Sequence, residues 1–462
     1  MRKATPMAVL AFLAACLCAT ATAQEQEQVA VRRLAVRPAA EPVPAMRYRL
    51  MPTFHEREPG NAATVLKTAA LMLVEHRDKE ALDKVAKWGG MPLEQLPREE
   101  VQSVLSQFAD VLRYVELGAW RERCDWDWPL QEGAAMLLPD LAAYRNMARL
   151  LALKARMQIL EHDYDGAIHT LETGFAFASH VAEGRILING LVGSAIASLM
   201  LDATGDLMQA PDAPSLYWAL TALPRPLVDL RQAIEFELTG MAFWPKELRK
   251  PEQMYLSPRQ WAEVFRSLGN LVGEGSRSGS LSPTAIALVT YTDAKRHLLE
   301  KGRPPEELEA MPVLQVVAIY LRDGWRLRAD EALKWWYAPY PQARAGLDAI
   351  ERVVAEARKD KSGWLVALLM PALQRARFHQ MRFERRIAGL RAVEAMRVHA
   401  GVTGAGLPAR LEEIERVPVP LNPMRGEPFE YELRDGRAVL SAPLEPDGRP
   451  EDAFRYEIEL VR

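Results

Sequence analysis

Cysteine is scarce in this chain of 462 residues, which contains only Cys16, Cys18 and Cys124. The first two lie in an apolar run at the N-terminus, so a chain cleaved after that run keeps Cys124 alone. A lone cysteine cannot form an intramolecular disulfide, and we therefore expect packing alone to stabilise the mature fold. We interpret Cys124 as a small buried residue rather than as a nucleophile.

The chain also lacks the short motifs that identify common catalytic and cofactor sites. The strict patterns of the hydrolase nucleophile elbow, the P-loop, the dinucleotide-binding loop and the zincin helix are all absent. His162 and His169 flank Asp163 and Asp165, but a turn separates them and they do not share one helix face. The sequence therefore predicts no catalytic residues, no cofactor and no metal site, and it favours a protein without enzymatic activity.

Positive charge is not in excess, because 58 basic side chains face 61 acidic ones and the formal net charge is −3. Nucleic-acid binding favours a concentrated basic face, so we predict no nucleic-acid partner. Beyond the N-terminal run no stretch is apolar over the length that a membrane-spanning helix needs. The nearest is the segment 364–370, which suits a buried helix, and we predict no transmembrane span in the mature chain.

The N-terminus has the pattern of a secretory signal peptide. Arg2 and Lys3 precede a short apolar run, and Ala21-Thr22-Ala23 has the small side chains of a cleavage site. We therefore predict a signal peptide at 1–23 and an exported protein of the periplasm or cell envelope. A second interpretation remains open, because Leu13-Ala-Ala-Cys16 has the pattern of a lipobox, in which Cys16 would carry a lipid anchor.

Hydropathy patterning predicts a mainly α protein with two domains. Residues 24–45 show no period and are interpreted as a flexible linker. Helical periodicity dominates 46–360, which we predict to be an irregular domain of α-hairpins. The segment 361–462 combines a long helix with three alternating segments, and it predicts a small α+β domain with a three-stranded antiparallel sheet.

A helical hairpin is predicted at 148–178, and it resembles a tetratricopeptide repeat. The small and turn-forming residues that carry the resemblance are Ala155, Asp163, Tyr164, Ala167, Leu171 and Gly174. The resemblance implies a surface that holds other molecules and has no chemistry of its own. Only one repeat matches well, whereas an array needs about three, so the hairpin is expected within an irregular domain.

Two further resemblances cover larger parts of the chain. The segments CDWDWP at 124–129 and 215–237 are similar to an uncharacterised family of secreted helical bacterial proteins, which implies a shared fold but no activity. The segments 368–377, 407–411 and 422–431 resemble a type II secretion pseudopilin. That resemblance implies a helix-plus-sheet module, although the hydrophobic leader of a pilin is missing.

Two clusters of aromatic and acidic residues are the candidate ligand site. Alternation of tryptophan and aspartate would place rings on one side and carboxylates on the other, as a sugar- or cation-binding groove requires. Residues of this possible groove are Trp120, Asp125, Trp126, Asp127, Trp128, Trp335 and Trp336. The alternative is that these rings pack in the core. Asp125 and Asp127 could also act as the acid–base pair of a glycoside hydrolase, if they faced each other across a cleft.

The long C-terminal helix carries an arginine-rich stretch, which we expect to form a solvated face beside the sheet. These arginines are Arg375, Arg377, Arg382, Arg385, Arg386, Arg391 and Arg397. The leading functional hypothesis is an exported scaffold that binds a protein or peptide partner. The alternatives are a glycan-binding or glycan-hydrolysing envelope protein and an accessory of a secretion system.

Overall fold

The computed structural model describes residues 31–128, 140–239, 244–273, 282–357, 364–444 and 453–461. The predicted signal peptide and Cys16 lie outside these residues, as does the first part of the predicted linker. Within them the protein is mainly α, as the sequence predicts.

Sixteen α-helices form most of the described chain. They are α1 (Ala62–His76), α2 (Lys79–Gly89), α3 (Arg98–Gln107), α4 (Ala109–Ala119), α5 (Leu141–Leu160), α6 (Tyr164–Ala182), α7 (Leu187–Gln209), α8 (Tyr217–Thr221), α9 (Arg231–Thr239), α10 (Lys246–Arg249), α11 (Pro258–Gly273), α12 (Pro283–Glu300), α13 (Pro305–Ala310), α14 (Val313–Tyr337), α15 (Tyr340–Ala357) and α16 (Trp364–Thr403). Short polar residues begin several of them. Asn61, Asp78, Asp163 and Ser282 each accept a hydrogen bond from a backbone N–H in the first turn, which satisfies a donor that the helix leaves free.

The hairpin predicted at 148–178 is formed by α5 and α6, and α7 packs against both. Asp163 stands at the turn and caps α6. A Cβ on Gly193 of α7 would lie 2.7 Å from the carbonyl oxygen of Ala178 on α6, so glycine is required for this approach of two backbones. The helix–turn–helix prediction is therefore confirmed, whereas kinship with tetratricopeptide repeats stays a prediction.

Helix α7 is long and apolar enough to cross a membrane by length and composition, with a mean hydropathy of 1.4. Judged from the sequence, the segment 364–370 is the nearest candidate for a membrane-spanning stretch instead. In the fold, 67% of the apolar window of α7 is buried inside the protein. A core helix passes the same test of length and composition, and this degree of burial fits a core helix.

The main sheet has four strands in the order β1-β6-β5-β4, one more than the sequence predicts. Strands β4 (Glu430–Arg434), β5 (Arg437–Ala442) and β6 (Phe454–Leu460) are the predicted antiparallel meander. Strand β1 (Val31–Val36) pairs in parallel with β6. The prediction of a flexible linker at 24–45 is thus wrong for 31–36, because these residues pair with β6 and Leu34 and Val36 enter the core.

A second, small sheet pairs β2 (Glu58–Asn61) with β3 (Arg121–Arg123) in parallel. Helix α1 follows β2 directly, and the tryptophan–aspartate segment follows β3. This pairing therefore sets the position of the segment relative to the start of α1.

The described chain divides into two compact units whose limits differ from the predicted domains. One unit contains Trp128 and residues 231–377. The other contains residues 31–127, 140–230 and 378–461, and so includes every strand. The predicted boundary near residue 360 is replaced by a division inside α16, because the second half of that helix packs on the sheet.

Helix α16 contacts the sheet through Gly389, where a Cβ would lie 2.4 Å from the ring of Phe454. The expected solvated arginine face is wrong for four of its members, which are buried: Arg377, Arg385, Arg391 and Arg397. Arg385 lies 5.4 Å from the ring centroid of Phe454, and Arg391 lies 5.8 Å from that of Tyr217. Aromatic faces and backbone carbonyls replace water around these guanidinium groups.

Candidate functional site

The tryptophan–aspartate segment is held by polar contacts to α1 and its N-cap. Asn61 donates from Nδ2 to the carbonyl of Asp125 at 2.9 Å and accepts from the N–H of Asp125 at 2.8 Å. Lys67 on α1 donates from Nζ to the carbonyl of Trp126 at 2.9 Å. Because both sides of the Asp125 backbone are bound, the segment has a fixed position against the start of α1.

Two tryptophans anchor the same stretch of chain on α6. The indole N–H of Trp126 donates to the carbonyl of His180 at 2.7 Å, and its ring centroid lies 5.3 Å from that of Tyr144. The indole N–H of Trp120 donates to Oγ1 of Thr173 at 3.0 Å. Trp126 is only 2% exposed, so its ring packs in the core as the alternative interpretation predicts.

Asp125 and Asp127 are both exposed, but they belong to one tight turn. Oδ1 of Asp125 accepts from the N–H of Asp127 at 3.4 Å, and Asp127 has a positive φ of 45°. A left-handed residue breaks the extended backbone that the alternation argument assumed. The two carboxylates therefore do not face each other across a cleft, which an acid–base pair would require.

Trp128 is half-buried, and the remaining aromatic residues of the predicted groove lie in the unit formed by 231–377. Trp336 is buried, with Arg377 at 5.2 Å from its ring centroid. Trp335 is half-buried, and its ring occupies the space where a Cβ on Gly346 would be. Trp336 and Trp126 expose almost no ring surface, and a single groove made by both clusters stays a prediction.

A second polar cluster joins α4 to α6 and contains three titratable groups with displaced pKa values, Glu116, His169 and Glu172. Nε2 of His169 lies 2.8 Å from Oε1 of Glu116, and this hydrogen bond raises the pKa of His169 and lowers that of Glu116. Burial, aided by the charge of Glu56, raises the pKa of Glu172 to about 7. Groups with displaced pKa values gather at functional sites, although buried ion pairs produce the same effect.

The charge of Arg49 partly opposes the rise in the pKa of Glu172. Arg49 also lines a cavity of about 240 Å³. The cavity is lined by Arg49, Leu50, Met51, Pro52, Thr53, Arg57, Ala222 and Pro224. Its two guanidinium groups give it the charge to accept a small anion. This cavity could not be predicted from the sequence, because its lining residues belong to no motif.

The structure also brings together three potential metal ligands that lie far apart in the sequence or belong to no motif. The ligand atoms of Cys124, His180 and Glu183 all lie within 4.8 Å of one another. His180 and Glu183 stand one turn apart at the end of α6, and Cys124 precedes the turn of Asp125. Burial, together with the charges of Glu183 and Asp125, raises the pKa of the Cys124 thiol.

No family model, no curated protein and no solved structure matches this chain.

Proposed function

We propose that this chain is an exported scaffold of the cell envelope that binds a protein or peptide partner on a helical surface. The observation that carries the proposal is a set of exposed apolar side chains on α12, Leu288, Val289 and Leu299, which no described part of its unit covers. Export itself rests on the signal-peptide pattern at 1–23.

Helix α12 has a buried inner face and also carries exposed apolar side chains on its outer side. Its inner face packs against α14. That face contains Ile286, Thr290, Ala294 and Leu298, all buried. At 100° per residue, Leu288 and Leu299 project from the opposite side. Leu288 is 79% exposed, Val289 55% and Leu299 39%.

A helix at the surface of a monomeric protein normally has polar residues on its outer face. Single exposed apolar residues need no explanation, but exposed apolar residues that cluster are typical of an interaction surface. An amphipathic partner helix or an apolar peptide would fit the cluster around Leu288 and Val289. This favours protein binding over chemistry as the role of the surface.

The test is capture of a partner that depends on the exposed apolar side chains of α12. Tagged chain would be cross-linked in cells and purified from envelope fractions, with Leu288→Glu compared against Leu71→Glu. Leu71 on α1 is a matched control, because it is 61% exposed and lies in the other unit. We expect one stoichiometric partner that is lost only in the Leu288 variant. A partner retained by both variants, or no partner at all, would contradict the proposal.

An accessory role in a secretion system is the second candidate, and the pilin-like part of the chain favours it. The second half of α16 packs on the antiparallel strands β4, β5 and β6, which is the helix-plus-sheet arrangement that the resemblance implies. Because β1 completes the sheet, the full chain must be used instead of residues 361–462. Binding of purified pseudopilins to the full chain would support this role, and failure to bind at micromolar concentration would count against it.

A further inference from the structure

We propose that Cys124, His180 and Glu183 bind a transition-metal dication, with zinc as the preferred ion. The site lies where the segment after β3 meets the C-terminal end of α6. It is independent of the scaffold surface on α12, which belongs to the other unit.

The hydrogen bonds of His180 orient its ring as a metal ligand requires. Nε2 lies 3.1 Å from the carbonyl oxygen of Arg121. A carbonyl only accepts hydrogen bonds, so Nε2 must carry the proton and the neutral ring has its free lone pair on Nδ1. Backbone carbonyls hold metal-binding histidines in this way in known sites.

Among the residues that the structure describes, Nδ1 of His180 has no hydrogen-bond partner, although the residue is only 3% exposed. Oε1 of Glu183 lies 3.6 Å from this Nδ1, which is beyond hydrogen-bond distance. A neutral imidazole would thus direct a lone pair at a carboxylate. Either a proton or a cation between them removes that repulsion.

The separation of the two atoms suits a metal ion. Two ligands at about 2.0 Å from a tetrahedral zinc are about 3.3 Å apart. The observed 3.6 Å needs only a small side-chain adjustment. Cys124, within 4.8 Å of both, supplies a third ligand from a different segment. A proton bridging His180 and Glu183 would make no use of the thiol.

The charge of the site favours a dication over a proton. A thiolate from Cys124 and the carboxylate of Glu183 together carry two negative charges, which one divalent ion neutralises. The carbonyls at the C-terminal end of α6 add negative potential at the same place. Metal binding would release the proton of Cys124, as it does from thiol ligands generally.

The ligand types select the class of ion. Calcium and magnesium prefer sites made only of oxygen, whereas a mixture of sulfur, nitrogen and carboxylate oxygen suits zinc and its neighbours. The side chain of Glu183 is 46% exposed, so the ion can enter from solvent. Three protein ligands leave the fourth position to water, as in open zinc sites.

The test uses the tag-free full chain, so that no affinity tag competes for metal. Co²⁺ and then Zn²⁺ would be titrated with absorbance and calorimetric detection. We expect one ion per chain and a thiolate-to-Co²⁺ charge-transfer band that zinc abolishes. Circular dichroism would establish that each variant is folded.

Three variants locate the ion. Cys124→Ser should abolish the charge-transfer band. Glu183→Gln, at an exposed position that tolerates substitution, should weaken binding at least about tenfold, because even indirect partners of a metal contribute 10–100-fold. His169→Gln on the same helix is the control, since its ring binds Glu116, and it should leave affinity unchanged.

The proposal is overturned by three results. One is the absence of stoichiometric binding, which would assign the contact of His180 and Glu183 to a bridging proton. Another is a Co²⁺ complex without a charge-transfer band. The third is equal affinity of the wild-type chain and Glu183→Gln. None of these outcomes bears on capture of a partner through Leu288, so the two proposals fail separately.

Discussion

Replacement of Arg397 by methionine should be among the most destabilising single changes in the chain. Arg397 and Glu394 on α16 form an ion pair at 2.5 Å in which both side chains are fully buried. Arg397 also donates to the carbonyls of Arg37 and Ala213, each at 2.9 Å. One guanidinium group therefore joins α16 to the segments that follow β1 and α7.

The magnitude follows from what the substitution leaves behind. Breaking a buried ion pair by removing one partner costs about 3–5 kcal/mol, because the other charge stays buried without compensation. Removing both charges, as in Glu394→Leu with Arg397→Met, eliminates that term. The carbonyls of Arg37 and Ala213 still lose their donor, and each buried orphan costs about 1–3 kcal/mol. We therefore expect the double variant to recover only part of the loss.

Urea unfolding at neutral pH, followed by circular dichroism, would measure these differences. Arg434→Met is the matched control, because Arg434 and Glu432 form an ion pair of the same 2.5 Å length at the surface. Exposed pairs contribute less than about 1 kcal/mol. If Arg397→Met destabilises the chain no more than Arg434→Met, the assigned role of the buried pair is wrong. If the double variant matches the wild type, the carbonyl contacts contribute nothing.

Three further predictions concern packing, pH and processing. Gly193→Ala should lower the free energy of unfolding, measured by urea titration, by about 1–3 kcal/mol, because its Cβ would meet the backbone of α6. Gly89→Ala is the control and should not destabilise the chain, because its added Cβ would meet no described atom within 4 Å. The pKa of Glu172 is raised to about 7 in the fold, against 4.5 in the unfolded chain. The contribution of its protonated form to stability is therefore fully present below pH 4.5 and is lost as pH rises through 7. Glu172→Gln should therefore reduce the fall in stability between these pH values by up to about 3 kcal/mol, whereas Glu122→Gln, at an exposed position, should not. If Cys16 is lipidated, palmitate labelling will disappear in Cys16→Ala; labelling absent from the wild type supports cleavage after the apolar run.

The helices and the β-meander could be predicted because their signals are local. Caps such as Asp163 and the alternation in 454–460 depend on neighbours in sequence. Strand β1 could not be predicted with the same means, because it pairs in parallel with a strand at the other end of the chain. Its six residues are short of a clear alternation and follow a Gln- and Glu-rich stretch, and the pairing with β6 places Leu34 and Val36 in the core.

The buried arginines of α16 show a different limit of sequence reasoning. A run of arginines normally marks a solvated face, because a buried charge needs a partner. Here several partners come from distant segments, such as the carbonyls of Arg37 and Ala213 for Arg397 and the ring of Tyr217 for Arg391. Spacing within α16 indicates only the i,i+3 pair of Arg397 with Glu394 and none of these distant partners.

The candidate site was missed for a related reason, and its parts depend on one another. Cys124 and His180 belong to no metal-binding motif, since their proximity is created by the docking of one segment on α6. That docking relies on Trp126, whose indole N–H holds the carbonyl of His180, while the carbonyl of Arg121 holds the imidazole ring. The tryptophan that suggested a ligand surface thus acts as a core anchor for the histidine. The tryptophan–aspartate pattern indicates this segment as a possible ligand groove, but the chemistry there depends on which side chains the tryptophans position.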